Sequence, residues 1–227
     1  MNQHPSRGAW ARSGPGAFLL ALLLSVCPAA HAEPVGFELP ADGEVFRYQR
    51  VLVELDHPDP GPEVILYADG RLQVRRPVYQ TRAGLWQKRL DPQQMRQLLA
   101  DVVASGLIET DVPKLRERKA DLQMQRRQAA ERAGQPQTYY AAGDPDRSLL
   151  RLRLAGYAPP GELGGALSGP IERSWQWTNL YGDAGRFPEI RELAAFHRLE
   201  LRLIEFIDDE TFERVASDDL ASKEVAP

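Results

Sequence analysis

The chain has 227 residues, of which 43% are hydrophobic and 26% charged, with a formal net charge of −4 and a single cysteine, Cys27. That length is enough for one ordinary domain to hold its fold by core packing, and the acidic balance argues against nucleic acid as a partner. No G-x-S-x-G elbow, H-E-x-x-H, phosphate-cradling G-x-x-x-x-G-K or D-x-D-x-D-G calcium loop occurs, so no motif names an activity.

In chain order the first feature is the apolar run from Ala17 to Val26, preceded by Arg7 and Arg12 without an acid. It is about half as long as a membrane-spanning helix requires. Pro28 and the small-residue pattern Ala30-His31-Ala32 follow it, which predicts a secretory signal cleaved to leave Glu33 as the first residue. The alternative is a lipoprotein acylated at Cys27, since Leu24-Ser25-Val26-Cys27 matches a lipobox in its first two positions and departs from it at Val26. Removing residues 1–32 takes two arginines and no acid, moving the charge from −4 to −6, and leaves no cysteine and only His57 and His197. Disulfides, thiolate metal sites and a cysteine nucleophile are then excluded, and a periplasmic or secreted location is expected.

Residues 33–47 read as an N-terminal extension. "VLVEL" (51–55) reads as a strand with Val51, Val53 and Leu55 on one face. The Pro-rich loop after it holds Asp56, His57, Asp59 and Glu63, oxygen ligands in type, but its prolines restrict wrapping around an ion, and no metal is assigned. Asp69-Gly70 between β-rich runs predicts a two-residue hairpin turn. That register sets Tyr67 opposite Leu72 and Ile65 opposite Val74, with Ile65, Tyr67, Leu72 and Val74 facing the core and Arg71, Gln73 and Arg75 facing away.

"DPQQMRQLLADVVASG" predicts a helix with Asp91 as N-cap, Pro92 in the first turn, Gln94 closing a capping box and Gly106 ending it. Met95, Leu98, Leu99, Val102 and Val103 form its apolar stripe. The segment 114–132 holds seven basic and three acidic residues. It reads as a polar, solvated helix or insertion reaching to about residue 137, able to bind an anionic surface or to associate with the acidic region 200–219.

"SLLRLRLAG" alternates Leu150, Leu152 and Leu154 with arginines, a one-sided strand. Ser168 in "GGALSGP" lies in a flexible loop with the wrong spacing for a nucleophile. "RSWQWTNLY" predicts a strand carrying Trp175 and Trp177 on one face, a buried pair or, with Tyr181, an aromatic platform for a sugar. Pro188 opens a segment in which Leu193, Phe196, Leu199, Leu203 and Phe206 keep helical spacing, while Leu199, Leu201 and Leu203 also alternate as a strand would from near Arg198. His197 and Glu200, three apart, suit a helix surface, a general base or half a metal site. The residues 209–227 read as an acidic, disordered tail.

The succession of "VILYADGRLQV", "KRLDPQQMRQLLADVVASGLIET", "YYAAGDPDRSLLRLRLAG" and "FPEIRELAAF" resembles a family of exported bacterial domains of unknown function, over roughly residues 48–208. The resemblance implies a DG hairpin and amphipathic helix followed by a second strand pair and helix, and carries no activity.

These elements predict a single α+β domain, a mainly antiparallel sheet with two principal helices packed on one face. The functional expectation is an exported, non-enzymatic binding or interaction module of the bacterial envelope, without a cofactor, meeting an envelope protein or a small ligand. Its candidate contacts are Arg116, Arg118, Arg126 and Arg127 of the basic segment and Trp175, Trp177 and Tyr181. The alternative is a small carbohydrate-active or hydrolytic enzyme whose acids come from Asp56, Glu63, Asp144 or Asp183.

Overall fold

The computed structural model describes residues 36–52, 61–135, 146–159 and 168–216. Along them run β1 (Gly36–Glu38), β2 (Glu44–Val51), β3 (Glu63–Tyr67), β4 (Arg71–Arg76), β5 (Gly84–Arg89), α1 (Pro92–Ala104), α2 (Val112–Arg132), β6 (Arg147–Leu154), β7 (Gly156–Ala158), β8 (Ile171–Thr178), α3 (Leu180–Arg186), α4 (Arg191–Asp208) and β9 (Glu213–Arg214). Seven strands form one sheet in the order β8-β6-β2-β3-β4-β5-β9, and β1 pairs with β7 apart from it. Every neighbouring pair is antiparallel, so the chain is an α+β domain. Among the described residues no helix is long and apolar enough to cross a membrane.

One face of the large sheet is apolar because alternate residues on its strands are. Phe46 and Tyr48 stand beside Leu152 and Leu150, Tyr48 beside Val64, Val64 beside Val74, and Leu150 beside Trp175. All of these are at most 2% exposed. The buried stripe of α1, Met95, Leu98, Leu99, Val102 and Val103, packs into the same core, as expected. Its cap also forms as expected: the Asp91 carboxylate accepts from the Gln93 and Gln94 N–H groups at 2.8 and 2.9 Å, and Gln94 accepts from the Asp91 N–H.

Three departures from the sequence reading have physical causes. β2 begins at Glu44, inside the expected extension, and ends at Val51. A register shift between Glu44 and Phe46 breaks its alternation and lets Val45 and Phe46 both be buried, which hides the strand from a period-two search. Val53, Leu55, Asp56, His57, Asp59, Asp144 and the segments 1–35, 136–145, 160–167 and 217–227 lie outside the described residues.

The hairpin is one residue out of the expected register. Leu66 pairs with Leu72, Ile65 with Gln73 and Val64 with Val74. The connection has three residues, with Gly70 N–H donating to Tyr67 O at 3.0 Å and Gly70 alone at positive φ (+83°). A two-residue type I′ turn needs positive φ at both central residues, whereas this geometry needs it only at the last. The slip turns Tyr67 to the outer face, where its hydroxyl donates to Gln73 at 3.1 Å, and gives the core to Val64 and Leu66.

From Arg191 the segment after Pro188 is helical, as its spacing predicts, and does not break into a strand. α4 is continuous through Arg198, and Leu201 is 49% exposed while Leu199 and Leu203 are buried, which is helical phase. The residues after Asp208 do not all fray. Phe212 is 3% exposed in the core, and β9 adds to β5 through Trp86↔Arg214 and Gln87↔Glu213. Two residues of strand flanked by acids carry too little pattern to be read from sequence.

Candidate functional site

The basic segment forms α2, whose N-cap Asp111 accepts from Lys114 N–H at 3.1 Å. Only Leu115 is buried along its 21 residues, so apolar packing alone does not hold it. Its cations do part of the work. Arg116 donates to Gln176 O at 2.9 Å, Arg118 to Glu189 O at 2.7 Å and to Glu192 at 3.2 Å, and Arg126 to Arg186 O and Glu189, both at 2.6 Å. The Arg126 guanidinium also lies 5.0 Å from the Phe187 ring. The Glu189 carboxyl is held below its usual range, first by a hydrogen bond from its own backbone N–H and then by the Arg126 guanidinium. The helix therefore associates internally, with the segment 183–192 in place of the 200–219 region the charge pattern suggested. Arg116, Arg118 and Arg126 are engaged with their own fold, and Arg127 stays exposed.

Trp175 and Trp177 are 2% and 4% exposed, so they build the core and not a platform. Trp177 Nε1 donates to Asp183 at 2.9 Å. Tyr181, the third member of the expected aromatic group, is 76% exposed and stands apart from them, edge-on to His197 at 5.4 Å. Of the acids weighed for hydrolysis, Glu63 lies on the outer sheet face between Arg47 (2.8 Å) and Arg75 (3.5 Å). Asp183 lies on the helix side against Lys119 and Trp177. The sheet separates the two. Ser168 is exposed and donates to Tyr157 O at 2.7 Å, a loop bond.

The face of the sheet opposite the core carries an unusual charge pattern. Arg47 on β2 sits directly across from Arg151 on β6, and Arg71 on β4 directly across from Arg89 on β5. Like charges facing each other across strands destabilise a sheet, so two such pairs on one face are a departure from what folding alone favours. Alternation puts Arg75, Arg147 and Arg153 on that face as well. Acids temper it in part: Arg47 is bonded to Glu44 and Glu63, which raise its already high pKa, and Glu172 lies 4.0 Å from Arg151. Arg147, Arg151 and Arg153 remain exposed. Arg47, Arg151 and Arg153 line a depression of about 350 Å³ with Glu44, Phe46 and Glu172. Sequence reading saw the alternation of Leu150, Leu152 and Leu154 with arginines as a one-sided strand and assigned the arginines no role. The cross-strand pairing that aligns them with Arg47 is invisible without the register.

A second polar site lies on the helix side, where β2, β6 and α3 meet α4. Glu200, 4% exposed, accepts from Tyr48 OH at 2.9 Å and from Ser148 OH, and its other oxygen is 3.3 Å from His197 Nδ1. Burial and then the Glu200 charge push the Tyr48 phenol far above its usual range. The Arg50 guanidinium binds Asp146, with Nε at 2.7 Å. Asn179 holds a left-handed backbone (φ +59°), the one non-glycine residue to do so among those described. Among the described residues no three His, Cys, Asp or Glu side chains gather as a metal site.

Compared with protein-family models, curated proteins and solved structures, the chain matches none.

Proposed function

We propose that this chain is an exported, non-enzymatic binding module that docks an acidic partner on the open face of its sheet. The observation that carries the reading is the placement of two opposed arginine pairs, Arg47↔Arg151 and Arg71↔Arg89, on the face opposite the core, where Arg89, Arg147, Arg151 and Arg153 are exposed, in a chain of net charge −4. Guanidinium groups bind carboxylates and phosphates in a two-pronged geometry and desolvate more readily than ammonium, so arginine is the residue for such a surface. An approaching anion relieves the repulsion between opposed arginines, and the stability given up in folding returns as affinity. Burial of both tryptophans, and engagement of α2's arginines within the fold, move the contact surface away from the places where sequence alone would set it.

The test is fluorescence anisotropy of a labelled poly-glutamate peptide against the chain, its Arg151→Glu/Arg153→Glu variant and an Arg127→Glu/Arg132→Glu variant on the exposed end of α2. The sheet-face variant is expected to weaken binding at least tenfold and to flatten its salt dependence. Loss of binding in the α2 variant with the sheet-face variant unaffected would overturn the reading.

A further inference from the structure

The polar site around Glu200 is separate from the arginine face, on the other side of the sheet. It opens as a cavity of about 220 Å³ lined by Arg50, Asp146, Ser148, Asn179, Leu180, Tyr181 and Glu200. We propose that this cavity is a seat for a single neutral sugar ring.

The lining argues against two other ligand classes. A small anion would meet two carboxylates, Asp146 and Glu200, against one guanidinium, Arg50, that already binds Asp146. An apolar ligand would displace water from the lone pairs that Asp146 and Glu200 keep beyond their protein partners, a cost its burial must first offset. A neutral polyol fits both kinds of group, because each hydroxyl donates to a carboxylate while accepting from a guanidinium or amide. The volume is below the roughly 300–1,000 Å³ of sites that take drug-sized molecules, and suits one ring.

The groups are also held in place. Glu200 is fixed by the donors Tyr48 and Ser148, with His197 at its second oxygen, so the carboxylate keeps its aim without a ligand. The Asn179 side chain makes no capping bond to α3 and sits against Gly182, where an added Cβ would come within 2.5 Å of its oxygen. Its amide stands as a rim group above the cavity. Tyr181 completes the rim. A tyrosine ring left 76% exposed beside a polar cavity offers the flat apolar surface against which the C–H face of a sugar stacks.

The experiment is a two-dimensional amide NMR titration of the chain with N-acetylglucosamine, glucose and galactose, with ethanolamine and acetate as controls. At least one sugar is expected to give saturable shifts at Ser148, Leu180, Tyr181 and Glu200, and Tyr181→Ala to weaken that binding at least tenfold while keeping a folded spectrum. Arg151→Glu/Arg153→Glu is expected to leave it unchanged, which separates this site from the docking face. No shift with any of the sugars, shifts elsewhere only, equal binding by Tyr181→Ala, or shifts at these amides with ethanolamine or acetate in place of sugars would each overturn the proposal.

Discussion

Lys119 of α2 reaches across to Asp183 of α3, and the same carboxylate oxygen accepts the indole N–H of Trp177 at 2.9 Å. Asp183 is 1% exposed, so this contact joins the polar helix to the core in a way its surface pairs do not. The Arg118–Glu192 and Arg126–Glu189 pairs are about half exposed, and such pairs are worth about 0–1 kcal/mol each. Removing one partner of a buried pair costs about 3–5 kcal/mol, because the other is left without an acceptor. Asp183→Ala is therefore expected to destabilise by about 3 kcal/mol, Arg118→Ala by less than about 1 kcal/mol. Chemical denaturation with a Lys119→Met/Asp183→Ala cycle checks it, and additive effects would show that the two residues are uncoupled.

The hairpin register predicts an asymmetry between adjacent residues. Leu66 is 0% exposed on the core face, and Tyr67 is half-buried on the other, stacked 4.3 Å from the Arg71 guanidinium. Leu66→Asp is expected to unfold the domain, since a buried carboxylate without partners costs several kcal/mol, while Tyr67→Asp costs about 1 kcal/mol. Thermal melts of the two variants decide it. The reverse order would restore the two-residue turn.

Gly70 makes the same turn testable from the backbone. Its φ is +83°, and a Cβ there would stand 2.8 Å from Leu90 O, the residue whose N–H donates to Gly70 O at 2.8 Å. Gly70→Ala is expected to lose more than about 1 kcal/mol, combining φ strain with displacement of that contact. A melting temperature equal to that of the parent would contradict this geometry.

The Lys88–Asp209 pair predicts a pH dependence. The hydrogen bond from Lys88 at 2.7 Å, with help from the Thr211 N–H at 2.8 Å, pulls the Asp209 carboxyl down to about 2. A depressed carboxyl contributes stability above its unfolded value near 4 and loses it as pH falls toward 2. Both side chains are about a quarter exposed, so solvent screening reduces the contribution to about 1 kcal/mol. Asp209→Asn is expected to be less stable than the parent at pH 7 and equal to it near pH 2. A gap that stays constant between pH 7 and 2 would remove the pair from the account.

The export reading has its own measurement, the intact mass of the chain recovered from expressing cells. A chain beginning at Glu33 matches cleavage after Ala32 and leaves no cysteine. A mass carrying acyl groups on Cys27 would place the domain at a membrane and replace the soluble reading.

What the sequence determined by itself is whatever one element settles within its own span. Asp91, Pro92, Gln94 and the Met95–Val103 stripe make α1 wherever it packs, because capping and 3.6-residue periodicity are local. Leu150, Leu152 and Leu154 likewise mark a one-sided strand, and the α+β class follows from the order of such elements. Tertiary structure decided everything that depends on which distant residues become neighbours. It set the hairpin register by the turn's φ values, drew Glu213–Arg214 onto β5, bound Arg116, Arg118 and Arg126 of α2 to their own fold and buried Trp175 and Trp177. It also assembled both candidate sites, since Arg47 meets Arg151 and Tyr48 meets Glu200 across more than a hundred residues. Charge and polarity are written in the sequence, but the pairings that turn them into a surface or a cavity arise only when the strands align.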